Sequence, residues 1–157
     1  MLSLLLRNLF FTIIQPGLVA GLFPYWILGD KIKKVFSCDF QFYQYLGATL
    51  FLIGLVIMLE CIIRFAIEGR GTLSPADPTK KLVTKGLYRF SRNPMYVGVM
   101  LILIGEAVFF ESYSLWIYLL CIFLAFNLFI FLIEEPRLRK DFGVEYEQYC
   151  KKVRRWI

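Results

Sequence analysis

Two short stretches concentrate the side chains that could do chemistry. Lys85 to Gly98 gathers Arg89, Arg92 and Asn93 against Pro94 and Tyr96 at the mouth of a long apolar segment. About 40 residues later Glu134 and Glu135 end a second apolar run. Polar groups at such a boundary are costly to desolvate and seldom stand without a partner. Guanidinium groups suit a ligand carboxylate or phosphate, whereas carboxylates and aromatic rings suit a ligand cation. Together the two stretches suit a zwitterionic ligand with an apolar neighbour. Each residue also has a plainer role: Arg89 and Arg92 as anchors to lipid phosphates, Tyr88, Tyr96, Tyr146 and Tyr149 as an interfacial aromatic belt, and Glu134-Glu135 as a helix-end ion pair with Arg137, Arg139 or Arg154.

The elements that must bring these stretches together are apolar. Of 157 residues, 59% are hydrophobic, and the mean hydropathy is +0.63, well beyond a soluble domain. The length suits one domain, 1–157. The expected architecture is an all-α integral membrane protein with four spans, 8–28, 45–67, 94–110 and 114–133, and a cytoplasmic tail helix over 134–157. Pro16 is expected to kink the first span. Glu111, Ser112 and Tyr113 form a tight outer turn with no Lys or Arg, so the third and fourth spans make a hairpin whose open end carries both polar stretches. Gly98 and Gly105, seven apart, share one face and permit close helix packing. In the tail, Leu138, Phe142, Tyr146, Tyr149 and Val153 recur at helical spacing, as in an amphipathic helix lying at the membrane surface.

The net charge of +6 does not suggest nucleic acid, because the basic residues sit in loops beside apolar runs. Those loops place both termini in the cytoplasm, although Lys31, Lys33 and Lys34 of the first loop pull the other way. With no histidine, His-based triads and His-ligated metals are excluded. Cys38, Cys61, Cys121 and Cys150 form no CxxC pair, so no metal site is expected. Glu60 and Arg64, four apart in the second span, are either a self-neutralising pair or a polar wall facing the bundle interior. Asn127 is the one strongly polar residue inside the fourth span.

Three motifs carry a resemblance: Arg92-x-Pro94-x-Tyr96-x-Gly98, then Glu134-Glu135-x-x-Leu138, then Phe142-Gly143-x-Glu145-Tyr146-x-x-Tyr149. From about Gly69 to Arg155 the chain resembles the membrane methyltransferase superfamily, which includes isoprenylcysteine carboxyl methyltransferases and phospholipid N-methyltransferases. The first two spans match only in being apolar. Many isoprenylcysteine enzymes have His before the motif proline. Asn93 here cannot titrate near neutral pH, and it is similar to the phospholipid enzymes and many bacterial members.

The resemblance implies S-adenosylmethionine as methyl donor, held at the cytoplasmic end of the hairpin without a soluble GxGxxG loop. It implies cofactor contacts from Tyr88, Arg92, Asn93, Pro94, Tyr96, Gly98 and Glu135, with Tyr146, Tyr149 and Arg154 closing the pocket from the tail. Arg92, Glu134 and Glu135 are the implied catalytic groups. A lipid or prenylated acceptor would enter from the bilayer, with Glu60, Arg64 and Asn127 at its head, and the setting would be a bacterial inner membrane. Two other classes stand beside this one: an NADPH enzyme like the sterol reductases, against which the Glu-Glu segment and the short length argue, and a non-catalytic membrane protein that binds lipid or a partner.

Overall fold

The computed structural model describes residues 16–35, 41–69 and 81–157, and every described element is helical. The elements are α1 (Leu18–Leu28), α2 (Lys31–Val35), α3 (Phe42–Arg64), α4 (Pro94–Phe109), α5 (Tyr113–Phe129) and α6 (Glu135–Lys152). Cys38, Pro75, Pro78 and the stretch 8–15 of the expected first span lie outside the described residues, as does the chain before Pro16 on which its kink would be judged.

Each helix is bounded by local chemistry. Gln41 and Gln44 open α3 with a reciprocal capping box, the Gln41 amide donating to the Gln44 side chain at 2.7 Å. Pro94 opens α4, where its missing N–H costs nothing. Phe110 and Glu111 close it, Glu111 adopting a left-handed φ of 45° that turns the chain into α5. The turn between α4 and α5 stands where the sequence puts it.

The count of spans needs correction. Two helices are long and apolar enough to cross a bilayer, Phe42–Arg64 and the one that begins at Tyr113. α1 and α4 are shorter apolar helices. With 16 residues α4 reaches about 24 Å, below the ~30 Å of a hydrocarbon core, because Pro94 and the Glu111 turn fix its ends. It is nevertheless rich in buried positions, with Gly98, Val99, Ile102, Leu103, Gly105 and Ala107 all enclosed.

The closest packing joins α3 to α4 through two reciprocal glycine contacts. A Cβ on Gly54 would lie 2.6 Å from the Gly98 carbonyl oxygen, and one on Gly47 would lie 2.7 Å from that of Gly105. In lipid, association of this kind rests on close backbone approach rather than on apolar burial.

α5 continues without a break through a π-helical turn, Ile130–Glu134, into α6. Gly143, at φ 49°, bends α6 midway. The apolar face of α6 is covered by protein rather than lipid: Tyr146, Tyr149 and Val153 are buried in a cluster that includes Leu82, Leu138, Phe142 and Cys150. Periodicity alone cannot distinguish these two ways of covering an apolar stripe.

Candidate functional site

The site forms where the connector before α4, the start of α6 and the last residues of the chain meet. Gly86 (φ 60°) starts a short 3₁₀ turn, Gly86–Arg89, with no room for a Cβ because the Arg64 guanidinium fills that space. The turn aims the Tyr88 carbonyl at α6, where it accepts a 2.6 Å hydrogen bond from the Tyr149 hydroxyl. Burial pushes the Tyr88 and Tyr149 phenols above their ordinary range, so both act as neutral donors.

After Val153 the chain leaves α6 and runs back along the connector. The Arg154 carbonyl accepts the Arg92 amide at 2.9 Å. The Arg155 carbonyl accepts from the Asn93 side chain at 3.0 Å and from the Ser91 hydroxyl at 3.3 Å. Trp156 donates its indole N–H to the Asn127 side chain at 3.2 Å and packs on Phe123. These bonds satisfy polar groups that are otherwise buried, Ser91 and Asn93 among them.

The charged centre is Glu135. Its buried carboxylate takes a two-point contact from Arg155, Nε to Oε1 and Nη2 to Oε2, each 2.9 Å, and lies 3.3 Å from Arg92 Nη1. Arg92 also donates to Cys150 Sγ at 2.8 Å, and its Nε is buried with no partner among the described residues. Glu134, one position earlier on the helix, points elsewhere and accepts a 2.9 Å bond from the Tyr96 hydroxyl, whose ring packs on Phe126. The two adjacent carboxylates therefore serve different sides of the site, Glu134 toward the hairpin and Glu135 toward the tail.

Arg92, Asn93, Tyr96, Glu134, Glu135, Tyr146 and Tyr149 thus converge as the sequence leads one to expect. Several other residues stand differently. Gly98 turns its open side to Gly54, Ile57 and Met58 of α3, so the close approach it permits is that of a helix. Arg154 contributes a carbonyl while its side chain is exposed, and the contact to the acidic pair belongs to Arg155. Asn127 is engaged by Trp156 and by the Phe123 carbonyl. Glu60 and Arg64 pair with each other, Arg64 also reaching Glu68 at 2.8 Å, and Glu60 lines a separate groove. Ser91, Cys150, Arg155 and Trp156 also take part in the site; the run of two arginines and a tryptophan late in the sequence is the signal that points to the last two.

A family model described as phospholipid methyltransferase matches residues 42–145, from the first residue of α3 to within α6. The chain belongs to the phospholipid methyltransferase family. Relatives of this chain include an uncharacterized protein of Haemophilus influenzae, 35% identical over 63 residues, which are 40% of this chain and all of that protein. They also include two rice proteins, from Oryza sativa subsp. indica and subsp. japonica, each described as a probable protein-S-isoprenylcysteine O-methyltransferase. Both are 31% identical over 120 residues, 73% of this chain and 61% of each rice protein. No solved structure matches. The family match ends before Tyr146, so the closing strap of Arg154, Arg155 and Trp156 lies outside it.

Proposed function

We propose that this member of the phospholipid methyltransferase family uses S-adenosylmethionine to methylate an amphipathic acceptor at the cytoplasmic membrane surface, as a single domain with both chain ends in the cytoplasm of a bacterial cell. The observation that supports it is the buried Glu135 carboxylate held between guanidiniums far apart in sequence, Arg92 just before α4 and Arg155 after α6. The residues present fit the amino-acid end of such a donor. Arg92 Nε is a buried donor with no partner among the described residues, available to a carboxylate, and Glu134 and Glu135 offer acceptors to an ammonium group.

When bound, S-adenosylmethionine supplies an electrophilic methyl on a positively charged sulfur. The chain's own residues bind and orient. Arg92 and Glu135 fix the polar end of the donor, with Asn93 and Pro94 shaping the wall between them. Tyr88, Tyr146 and Tyr149 wall the site from the connector and the tail, and the strap at Arg154–Trp156 excludes water. Tyr96 holds the Glu134 carboxylate at the mouth of the hairpin, where it can take a proton from an acceptor that must lose one. Placing a nucleophile about 3–3.5 Å from the methyl, in line with the bond to sulfur, accounts for most of the rate gain in such a displacement.

The test is incubation of the purified protein with methyl-labelled S-adenosylmethionine and a membrane lipid extract, followed by identification of the labelled species. Wild type labels a lipid-phase acceptor, whereas Arg92→Ala and Glu135→Ala each lose labelling while still inserting in the membrane. Normal labelling by both variants would place the site elsewhere.

A further inference from the structure

The Glu135 carboxylate that a donor's ammonium would use already carries a donor on each oxygen. Arg155 holds both, Nε on Oε1 and Nη2 on Oε2, each at 2.9 Å, and Arg92 Nη1 lies 3.3 Å from Oε1. Two guanidiniums therefore face one anion. The two are not held alike. The Arg92 side chain is 15% exposed and has a further bond to Cys150 Sγ at 2.8 Å. The Arg155 side chain is 34% exposed. Beyond Glu135 its guanidinium faces the Phe131 ring, 5.9 Å from the centroid, and Phe131 is itself exposed. The Arg155 backbone is fixed separately, through the bonds its carbonyl accepts from Asn93 and Ser91. The side chain can therefore turn to solvent while the strap stays in place.

We infer that Arg155 is an internal competitor for the methyl donor: its guanidinium occupies the ammonium position on Glu135 and swings out when S-adenosylmethionine binds, while Arg92 stays to hold the donor's carboxylate. This deepens the methyltransferase reading and rests on it. With Arg155 in place, an arriving ammonium would add a third cation around a single carboxylate, and like charges at close range oppose binding. With Arg155 turned out, Glu135 pairs with the ammonium and Arg92 with the carboxylate, charge for charge. The exchange also keeps Glu135 paired in the empty and the filled site, which avoids the cost of a buried carboxylate that has lost its partner. Arg155 thus holds the empty site together at the expense of affinity. A competitor engaged in about nine molecules of ten weakens the apparent affinity about tenfold.

The test measures binding without turnover. Full-length protein in dodecyl maltoside micelles is titrated with three ligands. S-adenosylmethionine and S-adenosylhomocysteine carry the amino-acid end, the second without the sulfonium charge, and 5′-methylthioadenosine lacks that end altogether. Arg155→Ala is compared with wild type, and Arg155→Gln, which keeps most of the side chain's bulk, is the milder second variant. Both variants are expected to bind the two amino-acid ligands about tenfold more tightly than wild type, and 5′-methylthioadenosine within about twofold of wild type. A residue that merely held the strap closed would weaken all three ligands when removed. Unchanged or weaker binding of the amino-acid ligands in both variants would overturn the competition and leave the methyltransferase reading intact. Parallel tightening of 5′-methylthioadenosine would overturn it too, because relief would then not depend on the ammonium. Failure of wild type and of both variants to bind S-adenosylmethionine would overturn the methyltransferase reading itself.

Discussion

Gly54→Ala tests the α3–α4 contact that carries Arg92 and Asn93 to their places. The added Cβ would meet the Gly98 carbonyl oxygen at 2.6 Å and the Ile102 amide nitrogen at 2.8 Å. Ordinary contact begins at 3.4 Å, so the backbones must part by most of an ångström, and no flexible side-chain end can yield in their place. Overpacking of this kind costs about 1–3 kcal/mol, against which Ala regains up to about 1 kcal/mol of helix propensity. The net loss, up to about 2 kcal/mol, lowers the melting temperature by up to roughly 8 °C for a chain of this size. The assay is thermal unfolding in detergent micelles, with Gly21→Ala as control, since a Cβ there meets nothing within 4 Å. Gly98→Ala touches the same contact from the other side, so the double variant costs less than the sum of the singles. A Gly54→Ala protein that melts with or above wild type would refute the reciprocal glycine contact.

Other expectations follow from the strap and the buried polar groups. Arg155→Ala removes the two-point contact but leaves Glu135 with Arg92, so it destabilises by less than Glu135→Ala, which strands the buried Arg92 guanidinium at about 3–5 kcal/mol while the partly exposed Arg155 turns to solvent; urea unfolding in micelles ranks the two. Tyr149→Phe removes the bond to the Tyr88 carbonyl and lowers stability by about 1 kcal/mol in the same assay. Burial holds the Tyr149 phenol above its usual value of 10.0, so its contribution is complete below about pH 10 and is lost as pH rises through the folded-state value. The melting temperature should therefore fall above pH 10, and fall less in Tyr149→Phe. Trp156→Phe frees the Asn127 side-chain oxygen and should loosen the chain end, read as faster hydrogen exchange at Arg154 and Arg155 with helix content unchanged.

The hairpin and the convergence of its two polar ends were legible because both follow from apolar run length and from a turn free of Lys and Arg. The family was legible because Arg92, Pro94, Tyr96, Glu134 and Glu135 keep fixed spacings. The strap was not, since its work at Ser91, Arg92 and Asn93 is done by the carbonyls of Arg154 and Arg155, and a backbone carbonyl has no side-chain signature. The bounds of α4 were legible, but not its shortfall as a span: hydropathy counts apolar residues, whereas Pro94 and Glu111 stop the helix at 16 residues. Gly98 and Gly105 were readable as a packing face, yet their partners Gly47 and Gly54 become evident only when α3 and α4 are set antiparallel. The stripe on α6 was readable as apolar, but Leu82, which covers it, comes from a connector with no periodicity of its own.

The most direct measurement of the central claim is equilibrium binding of S-adenosylmethionine to the purified protein in micelles, for wild type and for Glu135→Gln. The charge-neutral amide keeps the shape of the side chain and removes the anion that Arg92 and Arg155 share. Wild-type binding that weakens at least tenfold in Glu135→Gln is the result expected of a donor site built on that carboxylate. Equal affinity in the two proteins, or no binding by wild type, would contradict it.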